Sequence, residues 1–206
     1  EVHSDFSAVD TQQIRIGTER RREVMKIGII VGSIREGRNG KAVGDWVAAQ
    51  AAGRTDAEFV LIDLKEFELP LLTSATLPAM ADRNYESANV TRWSEAVDGC
   101  DGFVFVTPEY NHGVPGALKN AVDSLGPEWT GKAIGFVSYG ADGGIRSVEQ
   151  WRQIAANFQM HDVRAQVSIS LFSEFGKDGF APTERRAAQL TALLDQLVSL
   201  TAKITR

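Results

Sequence analysis

"GFVFVTPEYNHGVPGALKNAVD", residues 102–123, sets three signals in a row. The run GFVFVT (102–107) is apolar throughout, which marks a strand covered on both faces, as in parallel sheets flanked by helices. Pro108 fixes the strand exit, and Gly113, Pro115 and Gly116 bring the chain round to a new helix start. The stretch GALKNAVDSL then carries helical spacing. One strand–loop–helix unit is legible here, and its loop is crowded with Glu109, Tyr110, Asn111 and His112.

The same alternation extends in both directions. KIGIIV (26–31), EFVLID (58–63), KAIGFVS (132–138) and VRAQVSIS (163–170) read as further strands. Val43, Trp46, Val47 and Ala51 share one helical face, as do Val90, Trp93 and Val97. IRSVEQWRQIAANF and TERRAAQLTALLDQLVSLTA supply two more helices, the last with Thr183 placed as its N-cap and Glu184 in its first turn. Five strands alternating with five helices predict an α/β three-layer sandwich, because parallel neighbours need crossovers of helical length. The expected strand order is 2-1-3-4-5, with a ligand crevice at the carboxyl ends of strands 1 and 3.

The totals bound the function classes. The 206 residues suit one domain, placed over residues 25–206, with residues 1–24 expected to be a flexible tail of mixed charge. A formal net charge of -5 without a basic stripe argues against nucleic acid and anionic membranes as partners. A single cysteine, Cys100, excludes an internal disulfide, and three histidines leave no Cys/His cluster spaced for zinc. No apolar run approaches the roughly 20 residues that span a bilayer, so a cytoplasmic protein is expected.

Three loops, after strands 1, 3 and 4, carry the candidate chemistry, and the expected order makes those strands neighbours. In GSIREGRNGKAVG, Gly32 permits a sharp exit. Ser33, Arg35, Arg38, Asn39 and the amides entering the next helix can surround an anion such as a terminal phosphate. A Walker loop is excluded, since Arg38 and Asn39 follow Gly37 where Lys and Ser/Thr are required. In the second loop, backbone groups of Glu109 to His112 can meet the polar edge of a flat heterocycle, with Tyr110 as apolar surface; a local Glu109–His112 pair is the competing reading. In SYGADGGIRS, Gly140, Gly143 and Gly144 let the backbone come close to a ligand. GFVSYG is not a nucleophile elbow, because Gly135 stands three residues before Ser138 rather than two.

Together, GSIREGRNGKAV, TPEYNHGVPGALKNAVD and SYGADGGIRSVEQWR resemble the NAD(P)H-dependent FMN reductase family, which includes related quinone and azo-dye reductases. The resemblance implies a flavodoxin-like fold, noncovalent FMN, NADPH or NADH as hydride donor, and a small-molecule electron acceptor such as free flavin, quinone or azo compound. It also implies homodimers or homotetramers. By matching position, Ser33, Arg35, Asn39, Gly40, Lys41 and Ala42 correspond to the phosphate loop, and Arg38 stands among them. Pro108, Glu109, Tyr110 and Asn111, with His112 beside them, correspond to the segment that holds the ring. Ser138, Gly140 and Gly143, with Tyr139 between them, correspond to the loop beside the ring and ribityl chain. Many relatives carry a second serine near the position of Asn39. No protein nucleophile is expected, since the chemistry belongs to the cofactor; a flavodoxin-like electron carrier or a non-catalytic FMN-binding redox module is the alternative.

One long irregular connection, residues 64–87, holds Pro70 and Pro78. Its length points to a lid or an interface. Leu71, Leu72, Leu77 and Met80 within it are expected either to bury a subunit interface or to join the core of their own chain.

Overall fold

In the computed structural model, which describes residues 24–205, the chain alternates strand and helix as its apolar periods require. The expected tail, residues 1–24, lies outside the described residues except for Val24. Strands β1 (Lys26–Val31), β2 (Glu58–Asp63), β3 (Gly102–Pro108), β4 (Ala133–Gly140) and β5 (His161–Ser170) form one parallel sheet in the order β2-β1-β3-β4-β5. Helices α1 (Asn39–Ala51), α2 (Ala88–Asp98), α3 (Gly116–Asp123), α4 (Ile145–Asn157) and α5 (Glu184–Ile204) cover its two faces. The fourth strand runs two residues beyond its expected end, to Gly140, and the fifth begins at His161, two residues early. Between the fifth strand and α5 stands a two-residue-per-strand hairpin, β6 (Phe175–Gly176) and β7 (Gly179–Phe180), too short to leave a period in the sequence.

Period-two alternation sends successive strand residues to opposite cores. Ile30, Phe103, Phe105, Ile134 and Phe136 pack with Trp93, Leu118, Trp129 and Trp151 from α2, α3, the segment after it, and α4. Ile27, Ile29, Val104, Val106 and Val137 pack with Val43 and Val47 of α1 and with Leu190, Leu193 and Leu197 of α5. Burying each such aliphatic or aromatic side chain contributes roughly 1.5–3 kcal/mol. Helix α1 lies close on β1 because residue 44 is glycine: a Cβ there would stand 2.5 Å from Val31 Cγ2. Thr183 occupies the N-cap of α5 but its side chain makes no cap bond; its carbonyl takes the Arg186 amide at 2.9 Å instead.

The register brings the carboxyl ends of the strands level: Val31 pairs with Asp63 and Val106, Pro108 with Tyr139, and Gly140 with Ser170. The loops after β1, β3 and β4 therefore emerge side by side.

The long connection 64–87 contains two short 3-10 turns, Leu64–Phe67 and Pro78–Met80, and is clamped rather than loose. Asn120 of α3 donates to the Pro70 carbonyl and accepts from the Leu72 amide, both at 2.9 Å. Tyr85 donates to the buried Glu128 carboxylate at 2.6 Å, which also takes the Ser94 hydroxyl and the Gly126 amide. Leu71, Leu77 and Met80 nonetheless stand 77%, 65% and 76% exposed, and Leu72 is exposed as well, so none of the four joins its own chain's core.

Candidate functional site

The three loops meet around a cleft of about 320 Å³. Ser33, Arg35, Arg38 and Asn39 line it from the first loop; Pro108, Glu109 and Tyr110 from the second; Tyr139 and Leu171 complete the wall.

In the first loop, the Gly32 amide bonds to the Val106 carbonyl at 2.9 Å, which holds the strand exit against β3. Ser33 is buried, and its hydroxyl lies 2.8 Å from the Tyr110 hydroxyl, a direct tie between the first and second loops. Arg38, on the cleft wall, is already paired. It forks onto Asp63 at the end of β2, at 2.6 and 2.5 Å, and also donates to the Ser33 carbonyl. Arg35 stays exposed, with its guanidinium 5.8 Å from the centre of the Tyr110 ring. Lys41 pairs with Asp45 one turn along α1, and Ala42 lies on the exposed side of that helix.

Helix α1 begins at Asn39 with Arg38 as an extended N-cap that offers no side-chain cap bond. Its first-turn amides and partial positive charge are thus free for an anion. Beneath them lies Tyr139, 5% exposed, whose hydroxyl has no hydrogen-bond partner within the protein. A Cβ on Gly40 would stand 2.4 Å from that hydroxyl oxygen, so only glycine there admits it. Burial raises the Tyr139 phenol well above its ordinary range, which favours its protonated, donating form. Helix amides, an unpartnered buried hydroxyl and a nearby guanidinium fit a phosphate monoester.

The second loop folds into a tight turn. Tyr110 and Gly113 exchange both backbone bonds at 3.0 Å, and Asn111 and His112 between them adopt φ of 50° and 65°. Both central residues in the left-handed region are the mark of a type I′ turn. Gln150 of α4 holds the turn from outside, donating to the His112 carbonyl at 2.9 Å and accepting from the Val114 amide at 3.2 Å. Glu109 does not pair with His112. Its carboxylate takes the Arg146 amide at 3.0 Å and the Arg146 guanidinium at 2.9 Å, binding the loop to the first turn of α4. Behind it, the buried Trp151 indole donates to the Thr107 hydroxyl at 3.0 Å.

In the third loop, Ser138 is fully buried and its hydroxyl donates to the Gly143 carbonyl at 2.7 Å. Gly143 and Gly144 both have φ near +75°, and a Cβ on Gly144 would meet Ser138 Cβ and the Tyr139 backbone at 2.9–3.0 Å. Ser138 and Gly143 are thus framework, and Gly140, whose carbonyl receives the Gly143 and Leu171 amides, ties the loop to the end of β5.

Of the residues expected from sequence, the cleft wall gathers Ser33, Arg35, Arg38, Asn39, Pro108, Glu109, Tyr110 and Tyr139. Gly40 lies at the first turn of α1 against Tyr139, while Asn111 and His112 form the exposed tip of the turn. Lys41, Ala42, Ser138, Gly140 and Gly143 stand behind or beside the wall. Sequence reasoning missed Asp63, Arg146, Gln150 and Leu171. Asp63 had a signal, since it ends a strand whose register places it beside the first loop; Gln150 and Arg146 sit on a helix face with nothing to set them apart.

Residues 25–174 match the family described as NADPH-dependent FMN reductase. An NAD(P)H-dependent FMN reductase of Schizosaccharomyces pombe is 35% identical over 146 residues, covering 71% of this chain and 73% of that one. An NAD(P)H:quinone oxidoreductase of Solanum tuberosum is 28% identical over 193 residues, covering 88% and 95%. Among solved structures, the flavoenzyme NAD(P)H:(acceptor) oxidoreductase FerB of Paracoccus denitrificans superposes with a TM-score of 0.68 at 22% identity, over 87% of this chain and 98% of that one. That likeness establishes the fold.

Proposed function

Because the chain belongs to the NADPH-dependent FMN reductase family, we propose that its cleft holds FMN and works as an FMN-dependent NAD(P)H oxidoreductase serving a small-molecule acceptor. When bound, FMN supplies a two-electron centre that accepts hydride from NADPH or NADH and passes electrons onward. The observation that carries this reading is the joining of an anion seat at the α1 N-terminus to the Tyr110–Gly113 turn within one cleft.

The chain's own residues would bind, orient and shield. The α1 amides, Ser33, Arg35 and Asn39 would hold the phosphate by charge-assisted bonds. Pro108 to His112 would hold the ring, with the turn fixed by Gln150 and Glu109 rather than by the ligand. The Asn111 and His112 amides are not consumed by the turn's own bonds, which leaves donors of the kind that stabilise developing negative charge. Gly140 and Gly143 would act from behind, holding the third loop in the shape that borders the ribityl side. A quinone-type acceptor is favoured here by the named relatives, with free flavin and azo compounds as the other members of the class.

In this reading one domain, residues 25–206, carries the site. A second copy of the chain covers Leu71, Leu77 and Met80, giving a homodimer or homotetramer. The acidic charge and the single cysteine favour a cytoplasmic location, and among the described residues no helix is long and apolar enough to cross a membrane.

The test is a visible spectrum of the purified protein followed by anaerobic titration with NADPH and with NADH. A flavin spectrum that bleaches within the turnover time supports the enzyme. Flavin that binds but bleaches far more slowly indicates a carrier, and protein that stays colourless after reconstitution with FMN rejects the reading.

A further inference from the structure

We infer that Tyr139 joins the first-loop groups in reading the phosphate, so that the cleft selects FMN over unphosphorylated riboflavin in part through a neutral buried donor. This rests on the FMN reading above and adds a role that the loop order alone does not suggest. By position Tyr139 belongs to the third loop, on the ring and ribityl side. Its side chain instead crosses beneath the first loop and ends against Gly40, in the first turn of α1.

Three observations converge on that atom. First, among the described residues it is the one buried side-chain polar atom without a hydrogen-bond partner. A buried hydroxyl left unmatched costs stability, whereas phenylalanine would fill the same space at no such cost. Second, the hydroxyl stands 2.4 Å from where a Cβ on residue 40 would lie, so glycine there lets the phenol reach the first turn of a thirteen-residue helix whose N-cap offers no side-chain bond. Third, Arg38 is taken by its fork onto Asp63 and the Ser33 hydroxyl is shared with Tyr110, so Tyr139 is the uncommitted donor on the buried side of the seat, with Arg35 and Asn39 on its exposed side. A terminal phosphate has only acceptor oxygens to offer, and a phenol that keeps its proton is a matched donor. The aromatic ring is held in place by the apolar layer around Val137 and Ile169 and by Phe175, 6.4 Å away between centroids. The hydroxyl is therefore pre-positioned.

The experiment is a pair of flavin-fluorescence titrations, FMN and riboflavin in parallel, on wild type, Tyr139→Phe and Gly40→Ala, with apoprotein melting followed by circular dichroism. In Tyr139→Phe the FMN dissociation constant rises about tenfold or more, while riboflavin affinity stays at the wild-type value and the apoprotein melts no lower than wild type. Gly40→Ala, whose methyl group would collide with the hydroxyl and displace it, loses the same preference. In wild type, inorganic phosphate competes with FMN and not with riboflavin, a measurement that needs no variant. A Tyr139→Phe protein that keeps the wild-type FMN-to-riboflavin ratio overturns the assignment, as does equal weakening of both flavins. Wild-type protein that binds neither flavin overturns the FMN reading itself.

Discussion

The Arg38 guanidinium and the Asp63 carboxylate meet fork to fork, at 2.6 and 2.5 Å, with side chains only 12% and 6% exposed. The pair joins the loop after β1 to the last residue of β2, and the same guanidinium holds the Ser33 carbonyl. Arg38 is thus a strut for the anion seat. Removing one partner of a buried pair leaves the other charged and unmatched, so Asp63→Ala is expected to cost about 3 kcal/mol. Urea unfolding monitored by circular dichroism measures it, and a midpoint equal to wild type would refute the strut.

Arg35 is the complementary case. It is exposed and rests near the Tyr110 ring, so its removal leaves the fold intact. Loss of one charge-assisted bond predicts that Arg35→Ala weakens FMN binding by about 1.5–3 kcal/mol with the melting temperature nearly unchanged. Isothermal titration of apoprotein with FMN reads the first quantity; undiminished affinity would remove Arg35 from the phosphate seat.

Glu128 gives the acid response. Burial pushes its carboxyl upward, but hydrogen bonds from Ser94, Tyr85 and the Gly126 amide outweigh that effect and hold it below the ordinary carboxylate value. A group depressed in the folded state contributes stability that is full above its unfolded value, near pH 4.3, and drains as the pH falls through the folded value. Glu128→Gln should therefore be less stable than wild type at pH 7 and lose less stability below about pH 4. Parallel acid limbs for the two proteins would contradict this.

The clamped connection presents Leu71 and Met80 to solvent while Asn120 and Glu128 fix its backbone and its Tyr85. Leu71→Asp with Met80→Asp is expected to shift the protein to monomer in sedimentation velocity, with its melting curve showing a folded subunit. A wild-type protein that sediments as a monomer at micromolar concentration would dismiss the interface.

The sheet order was readable because β1, β3 and β4 are apolar on both faces and each is followed by a helix of fitting length, which leaves few ways to wind the chain. The site was readable as three loops and not as a set of roles. Arg38 looked like Arg35 in the sequence, and only the register of β1 with β2 shows that Asp63 captures one and not the other. Asn111 and His112 carry no glycine to announce left-handed backbone, yet both adopt it because Tyr110 and Gly113 close the turn. Tyr139 follows the strand period, so its side chain faces the α1 side of the sheet, and no spacing rule foretold that its tip would reach the first turn of a helix a hundred residues earlier in the chain. The β6–β7 hairpin was missed because two-residue strands carry no periodic signal.

The bond from the Trp151 indole to Thr107 places a rigid chromophore one residue from Pro108, on the wall of the cleft. Its ultraviolet emission overlaps the absorption band of an isoalloxazine, so light absorbed by the indole passes to the flavin instead of being re-emitted. Cofactor loading should therefore dim the protein's intrinsic luminescence in proportion to occupancy, and Trp151→Phe should remove a distinct share of that dimming, giving a built-in gauge of how full the site is.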